Sequence, residues 1–159
     1  MRSPAVQSDA RWGTLRTMSI ARRLWRILLV EDESTVQHVV TRSLREAGHH
    51  VTAVGDGWSA WREAQNQQFD LIITDQVMPH MNGAELIKRV REVSPSHPFI
   101  VITGFFDDPE TPSGIPSDIP MFYKPFTGDT LLAEVERVLT APTPSSPRTM
   151  KESDDGSPA

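Results

Sequence analysis

Two spacings of apolar residues alternate along residues 26–140. Short runs, apolar on both faces, occur at Arg26–Val30, His50–Val54, 70–74, Phe99–Thr103 and Met121–Tyr123. Their length and flanking turn residues predict buried strands. Between them, apolar residues recur three and four apart. Val36, Val40, Leu44 and Ala47 mark a helix over 34–47, closed by Gly48. A Gly55-Asp56-Gly57 turn precedes a short helix over 58–67. Leu86, Ile87 and Val90 give Gly83–Val93 an inward face, ended by Pro95. Leu131, Leu132, Val135, Val138 and Leu139 do the same for a helix over 129–139. Strands that alternate with helices and show no polar face indicate an α/β fold, a parallel sheet covered on both sides.

One stretch interrupts the alternation. Residues 105–120 contain prolines at 109, 112, 116 and 120. Each removes a backbone donor and clashes with the preceding helical turn. The helix expected between the fourth and fifth strands is therefore missing or degenerate, at most a turn.

Composition changes this picture mainly at the ends. The chain has 159 residues, a net charge of −5 and no cysteine. It holds one domain of ordinary size. A disulfide framework, a thiolate metal site and a cysteine nucleophile are excluded, which suits a reducing, cytoplasmic setting. No apolar run is long enough for a membrane span. The acidic balance argues against direct DNA binding by the body of the chain. Residues 1–25 are expected to be a disordered basic leader, with Arg2, Arg11, Arg16, Arg22 and Arg23 against the single acid Asp9. Residues 141–159 hold four prolines and four serines and are expected to be a disordered tail.

The chemistry lies where the strands end. Glu31 and Asp32 follow the first run, Asp75 follows the third, Thr103 closes the fourth and Lys124 follows the fifth. In a doubly wound sheet, ligands bind at the carboxyl ends of the strands, where the strand order reverses. With a 2-1-3-4-5 order the first and third strands flank that crevice, and the three carboxylates share it. A hard cation such as Mg²⁺ relieves their repulsion, held by one or two carboxylates plus phosphate oxygen. Asp75 can act as a nucleophile that forms an aspartyl-phosphate. Lys124 offers a mobile positive charge for the phosphoryl group, and the Thr103 hydroxyl can donate to it. Each residue has a plainer use alone: acids open helices and turns, threonine fills strands. Their joint placement favours a phosphoryl site.

Four motifs carry a resemblance: Ile-Leu-Leu-Val-Glu-Asp at 27–32, Asp-Gln-Val-Met-Pro-His-Met-Asn-Gly at 75–83, Ile-Thr-Gly at 102–104 and Lys-Pro-Phe at 124–126. Residues 26–140 resemble the receiver domain of two-component response regulators. The resemblance implies a flavodoxin-like, five-stranded sheet of order 2-1-3-4-5. It implies that Asp75 is the phosphoacceptor, charged by a histidine kinase or a histidine phosphotransfer protein. It further implies that Asp32, Asp75 and the Val77 backbone carbonyl bind Mg²⁺, with Glu31 acting largely through water. Thr103 and Lys124 would contact the phosphoryl group, and the Lys124–Pro125 bond would be cis. Such a domain is a switch, with at most slow autodephosphorylation, and it signals by protein–protein interaction.

The chain departs from the family at three places. The proline-rich segment replaces the fourth helix. Met121 stands where an aromatic residue is usual, with Phe105 and Phe106 as possible replacements. Only a short tail follows the domain, so a stand-alone receiver without an output domain is expected. Two other readings compete. A phosphorylation-independent scaffold would use the altered face. A phosphotransferase similar to the haloacid dehalogenases would need a second aspartate two residues after the first, where Val77 stands. The five histidines show no metal-ligand spacing and read as surface or loop residues, and Trp58 and Trp61 read as packing residues.

Overall fold

In the computed structural model, residues 23–104 and 114–141 are described. Among the described residues, nine elements follow one another: β1 (Arg26–Val30), α1 (Ser34–Glu46), β2 (His50–Val54), α2 (Gly57–Asn66), β3 (Leu71–Asp75), α3 (Gly83–Val93), β4 (Phe99–Thr103), β5 (Met121–Tyr123) and α4 (Gly128–Thr140). The strands form one parallel sheet of order β2-β1-β3-β4-β5, as expected.

Strand periodicity sorts the core into two layers. Successive side chains of a strand point to opposite faces. Leu28, Val30, Ile72, Phe99 and Val101 meet Ala60 of α2 and Leu86, Ile87 and Val90 of α3. Their alternates Ile27, Leu29, Leu71, Ile73, Ile100 and Ile102 meet Val40 and Leu44 of α1 and Leu131 and Val135 of α4. Both faces are covered, so β3 and β4 are buried at every position.

The helix ends have local causes. Asp56 accepts from the Ser59 amide at 2.8 Å and starts α2. Asn82 accepts from Glu85 at 2.9 Å and starts α3. Thr127 and Thr130 exchange hydrogen bonds as a capping box at the start of α4. α1 closes at Gly48, whose φ of +98° is left-handed. Glycine takes that conformation without steric cost. Gly57, read as part of a turn, is instead the first residue of α2, because the Asp56 cap fixes the helix start there.

Between β4 and β5, residues 105–113 lie outside the described residues, and so do Phe105 and Phe106. Residues 114–120 form a turn and no helix. Ile119 is buried and Ile115 partly buried against the α2/α3 layer, so this segment supplies apolar cover without helical structure. Met121 packs against the same layer.

One reading of a single residue needs correction. Trp58 is 51% exposed, and the Arg89 guanidinium stacks 4.9 Å from its ring centroid. Position 58 lies on the first turn of α2, beyond the face that meets the sheet; Trp61, one turn on, does pack against the core. His49 lies in the α1–β2 connection, as its loop reading expects; it is buried there, and its Nδ1 accepts from the Trp25 amide at 3.4 Å.

Candidate functional site: a carboxylate cluster at the carboxyl ends of the strands

Parallel register aligns the strand ends. Val30 lies beside Thr74, and Asp75 beside Ile102. Each chain therefore leaves the sheet at the same edge. Glu31 follows β1, Asp75 ends β3, Thr103 ends β4 and Lys124 follows β5.

Glu31, Asp32 and Asp75 each offer a carboxylate oxygen, and these oxygens lie within 4.8 Å of one another. Glu31 is 1% and Asp75 8% exposed, while Asp32 faces solvent. The Lys124 ammonium donates to Glu31 Oε2 at 3.0 Å and to Asp75 Oδ2 at 3.2 Å. The second oxygen of each buried acid takes a backbone amide. Glu33 N–H donates to Glu31 Oε1 at 3.1 Å, and Val77 N–H to Asp75 Oδ1 at 3.3 Å. Buried charge is tolerated when it is paired and hydrogen-bonded in this way.

Electrostatics follow from the crowding. Burial, aided by the Asp75 charge, raises the Glu31 carboxyl above its ordinary pKa, against the lowering effect of Lys124 and the Glu33 amide. Burial alone would lower the Lys124 ammonium. The hydrogen bonds and charges of Glu31 and Asp75 outweigh it and hold the pKa above the usual lysine value. The site is thus an acid-rich pocket with one firmly protonated amine.

Thr103 is fully buried, and its carbonyl accepts from the Lys124 amide at 2.9 Å. Val77 is 62% exposed on the loop after Asp75. The Lys124–Pro125 peptide is cis. Asp107, Asp108 and Glu110, further acids that follow β4 in the sequence, lie outside the described residues. Among the described residues, no histidine joins the carboxylate group.

Two supporting residues differ in how far the sequence signals them. Gln37 of α1 donates to the carbonyls of Glu31 and Val54, at 2.9 and 3.0 Å, and ties the ends of β1 and β2 together. Gly83 begins α3 against β3. A Cβ there would lie 2.6 Å from the Asp75 carbonyl oxygen, so only glycine lets the helix start this close. A DxxxxxxxG spacing hints at the second feature; nothing local hints at the first.

The donor set fits a hard divalent ion. Three carboxylates supply only oxygen, two of them buried, and Asp32 opens the cluster to solvent. That is the ligand chemistry of Mg²⁺, which keeps part of its water shell.

Comparison with known proteins agrees with the fold and the motifs. The profile of the response regulator receiver domain matches residues 27–136. The response regulator receiver protein CpdR of Brucella abortus is 39% identical over 117 residues, covering 73% of this chain and 98% of CpdR. The transcriptional regulator NtrC of Azospirillum brasilense is 34% identical, but the match spans only 25% of its length. Among solved structures, the chemotaxis response regulator CheY4 of Vibrio cholerae superposes with a TM-score of 0.66 at 33% identity, covering 74% of this chain and all of CheY4. Residues 27–136 place this chain in the response regulator receiver domain family, whose members are signalling modules of two-component systems.

Proposed function

We propose that Asp75 accepts a phosphoryl group from a histidine kinase or a histidine phosphotransfer protein. The single observation behind this reading is the Lys124–Asp75 contact at 3.2 Å inside a cluster of three carboxylates. It puts a nucleophile, a counter-charge and a metal-ligating set in one place.

The step balances simply. An Asp75 carboxylate oxygen forms a bond to phosphorus. The bond from phosphorus to the donor nitrogen breaks, and its electron pair stays with the imidazole. Lys124 neutralises charge on the transferred group, and the buried Thr103 at the next strand end supplies a hydroxyl donor. Asp32, Asp75 and the Val77 carbonyl would hold Mg²⁺, with Glu31 acting mainly through water. An ion held there would supply charge screening for the phosphoryl oxygens. Positioning and neutralisation are most of what this transfer needs from a protein.

Turnover of small phosphate esters is not part of this reading. A phosphotransferase of this kind needs a general acid close to the nucleophile, and the residue two places on is Val77. The chain is a switch whose phosphorylated form meets a downstream protein. A phosphorylation-independent scaffold is the alternative favoured by the unusual 114–120 segment.

Labelled acetyl phosphate with Mg²⁺ tests the proposal. Label is expected on the wild-type protein, and none on Asp75→Ala. A folded wild-type protein that takes no label, beside a receiver control that does, would overturn it. Chelation of divalent ions should abolish labelling as completely as Asp75→Ala.

A further inference from the structure

Residues 114–120 lead directly into β5, and β5 ends beside Lys124. Whatever fixes this segment also sets where the lysine reaches. Apolar contact is one restraint: Ile119 is 5% exposed, and Ile115 packs against the same core layer. Such contact is non-directional. It fixes depth but not position along the sheet.

Beside the backbone pairing of β5 with β4, the directional side-chain restraint on this segment is a fork. Arg91 of α3 donates from Nη1 to Asp118 Oδ1 at 3.0 Å and from Nη2 to Asp118 Oδ2 at 2.6 Å. A bidentate guanidinium–carboxylate pair fixes orientation as well as distance. Asp118 directly precedes Ile119 and Pro120, and the Pro120 carbonyl accepts from Val101 of β4 at 3.0 Å. The fork therefore holds the entry to β5 against the last turn of α3.

The first turn of α3 is fixed just as closely to Asp75. Gly83 leaves no room for a Cβ beside the Asp75 carbonyl. α3 is thus a strut with Asp75 at one end and the fork at the other. The loop closes through β5 and through Lys124 Nζ, 3.2 Å from Asp75 Oδ2.

We infer that Arg91 and Asp118 are positioning residues for Lys124. The fork transmits the placement of α3 to β5 and so sets the lysine against Asp75. This rests on the reading of Asp75 as phosphoacceptor. Asp118 is 64% exposed, and exposed ion pairs add little to global stability. The role is geometric, in a segment where helical hydrogen bonds do not hold the chain.

The test uses the full chain and the variants Asp118→Ala, Arg91→Ala and the double variant. Two quantities are read: hydrogen exchange of the Lys124 amide, which bonds the Thr103 carbonyl, and the rate at which acetyl phosphate labels Asp75. Asp118→Ala is expected to speed exchange and slow labelling, each by about threefold to fivefold, with an unchanged urea midpoint. The double variant should be no worse than the more affected single variant, because one fork is lost once. Arg42→Ala, which breaks the exposed Arg42–Glu46 pair on α1, should change neither quantity. Unchanged Lys124 exchange in Asp118→Ala, or additive losses in the double variant, would overturn the inference. Absence of label on wild-type protein would instead overturn the phosphoacceptor reading, and the exchange measurement would still judge the fork.

Discussion

Glu31 and Asp75 are buried acids that share one amine. Removing that amine leaves two carboxylates without their counter-charge. Lys124→Met is therefore expected to lower stability at neutral pH by about 3–5 kcal/mol, the usual cost of removing one partner from a buried ion pair. Urea denaturation measures it, and an unchanged midpoint would show that solvent already satisfies both acids. His80 offers a contrasting case. It sits on the loop after Asp75 with φ of +69°, a left-handed conformation that side chains resist. His80→Gly should raise stability by up to about 1 kcal/mol, read as a higher thermal midpoint. Residues of this kind were unevenly legible in the sequence. Asp75, Glu31 and Lys124 announce themselves because each ends an apolar run. Gln37, Arg91 and Asp118 do not, since their partners lie far along the chain and no local pattern marks them.

The elements were legible where periodicity and punctuation agreed. The five strands and the helix faces follow directly from apolar spacing, and the prolines correctly signal that 114–120 is no helix. Boundaries moved where a side chain decided them. Asp56 is the clearest instance. Its carboxylate accepts from the backbone and the hydroxyl of Ser59, and the backbone bond chiefly holds its pKa below the ordinary aspartate value. A carboxyl lowered in the folded state stabilises the fold above its unfolded pKa. That contribution fades as pH falls through the folded pKa. Asp56→Ala should cost about 1 kcal/mol at pH 7 and progressively less below about pH 4. Asp56→Asn keeps an acceptor for the cap and should lose less at pH 7. Denaturant titrations at several pH values check both variants; a constant Asp56→Ala deficit down to pH 2 would contradict the cap's ionic character.

At the scale of the whole molecule, the two apolar layers share one sheet, and damage to either reaches the site. Ile73 is fully buried two residues before Asp75, against the α1/α4 layer. Ile73→Ala should cost about 2–5 kcal/mol, as large-to-small changes in such cores do. Mg²⁺ at a hundred times its dissociation constant should return about 2.7 kcal/mol by binding only the folded form. That recovery should vanish in Asp75→Ala, and calorimetry with and without the ion reads it. What the whole molecule adds beyond its sequence is mutual placement.

The parallel register that aligns the strand ends has a consequence for the time at which the protein becomes competent. Lys124 meets acids 93 and 49 residues earlier in the chain. No contiguous fragment that stops short of β5 holds both the acids and their amine. Contacts so distant in sequence form late, since closing long loops is slow. A chain still being synthesised therefore presents its carboxylates without the lysine that organises them. On the proposed function, a phosphoryl donor that reads the finished pocket would pass over nascent and half-folded copies, so that only chains with a completed sheet would be charged.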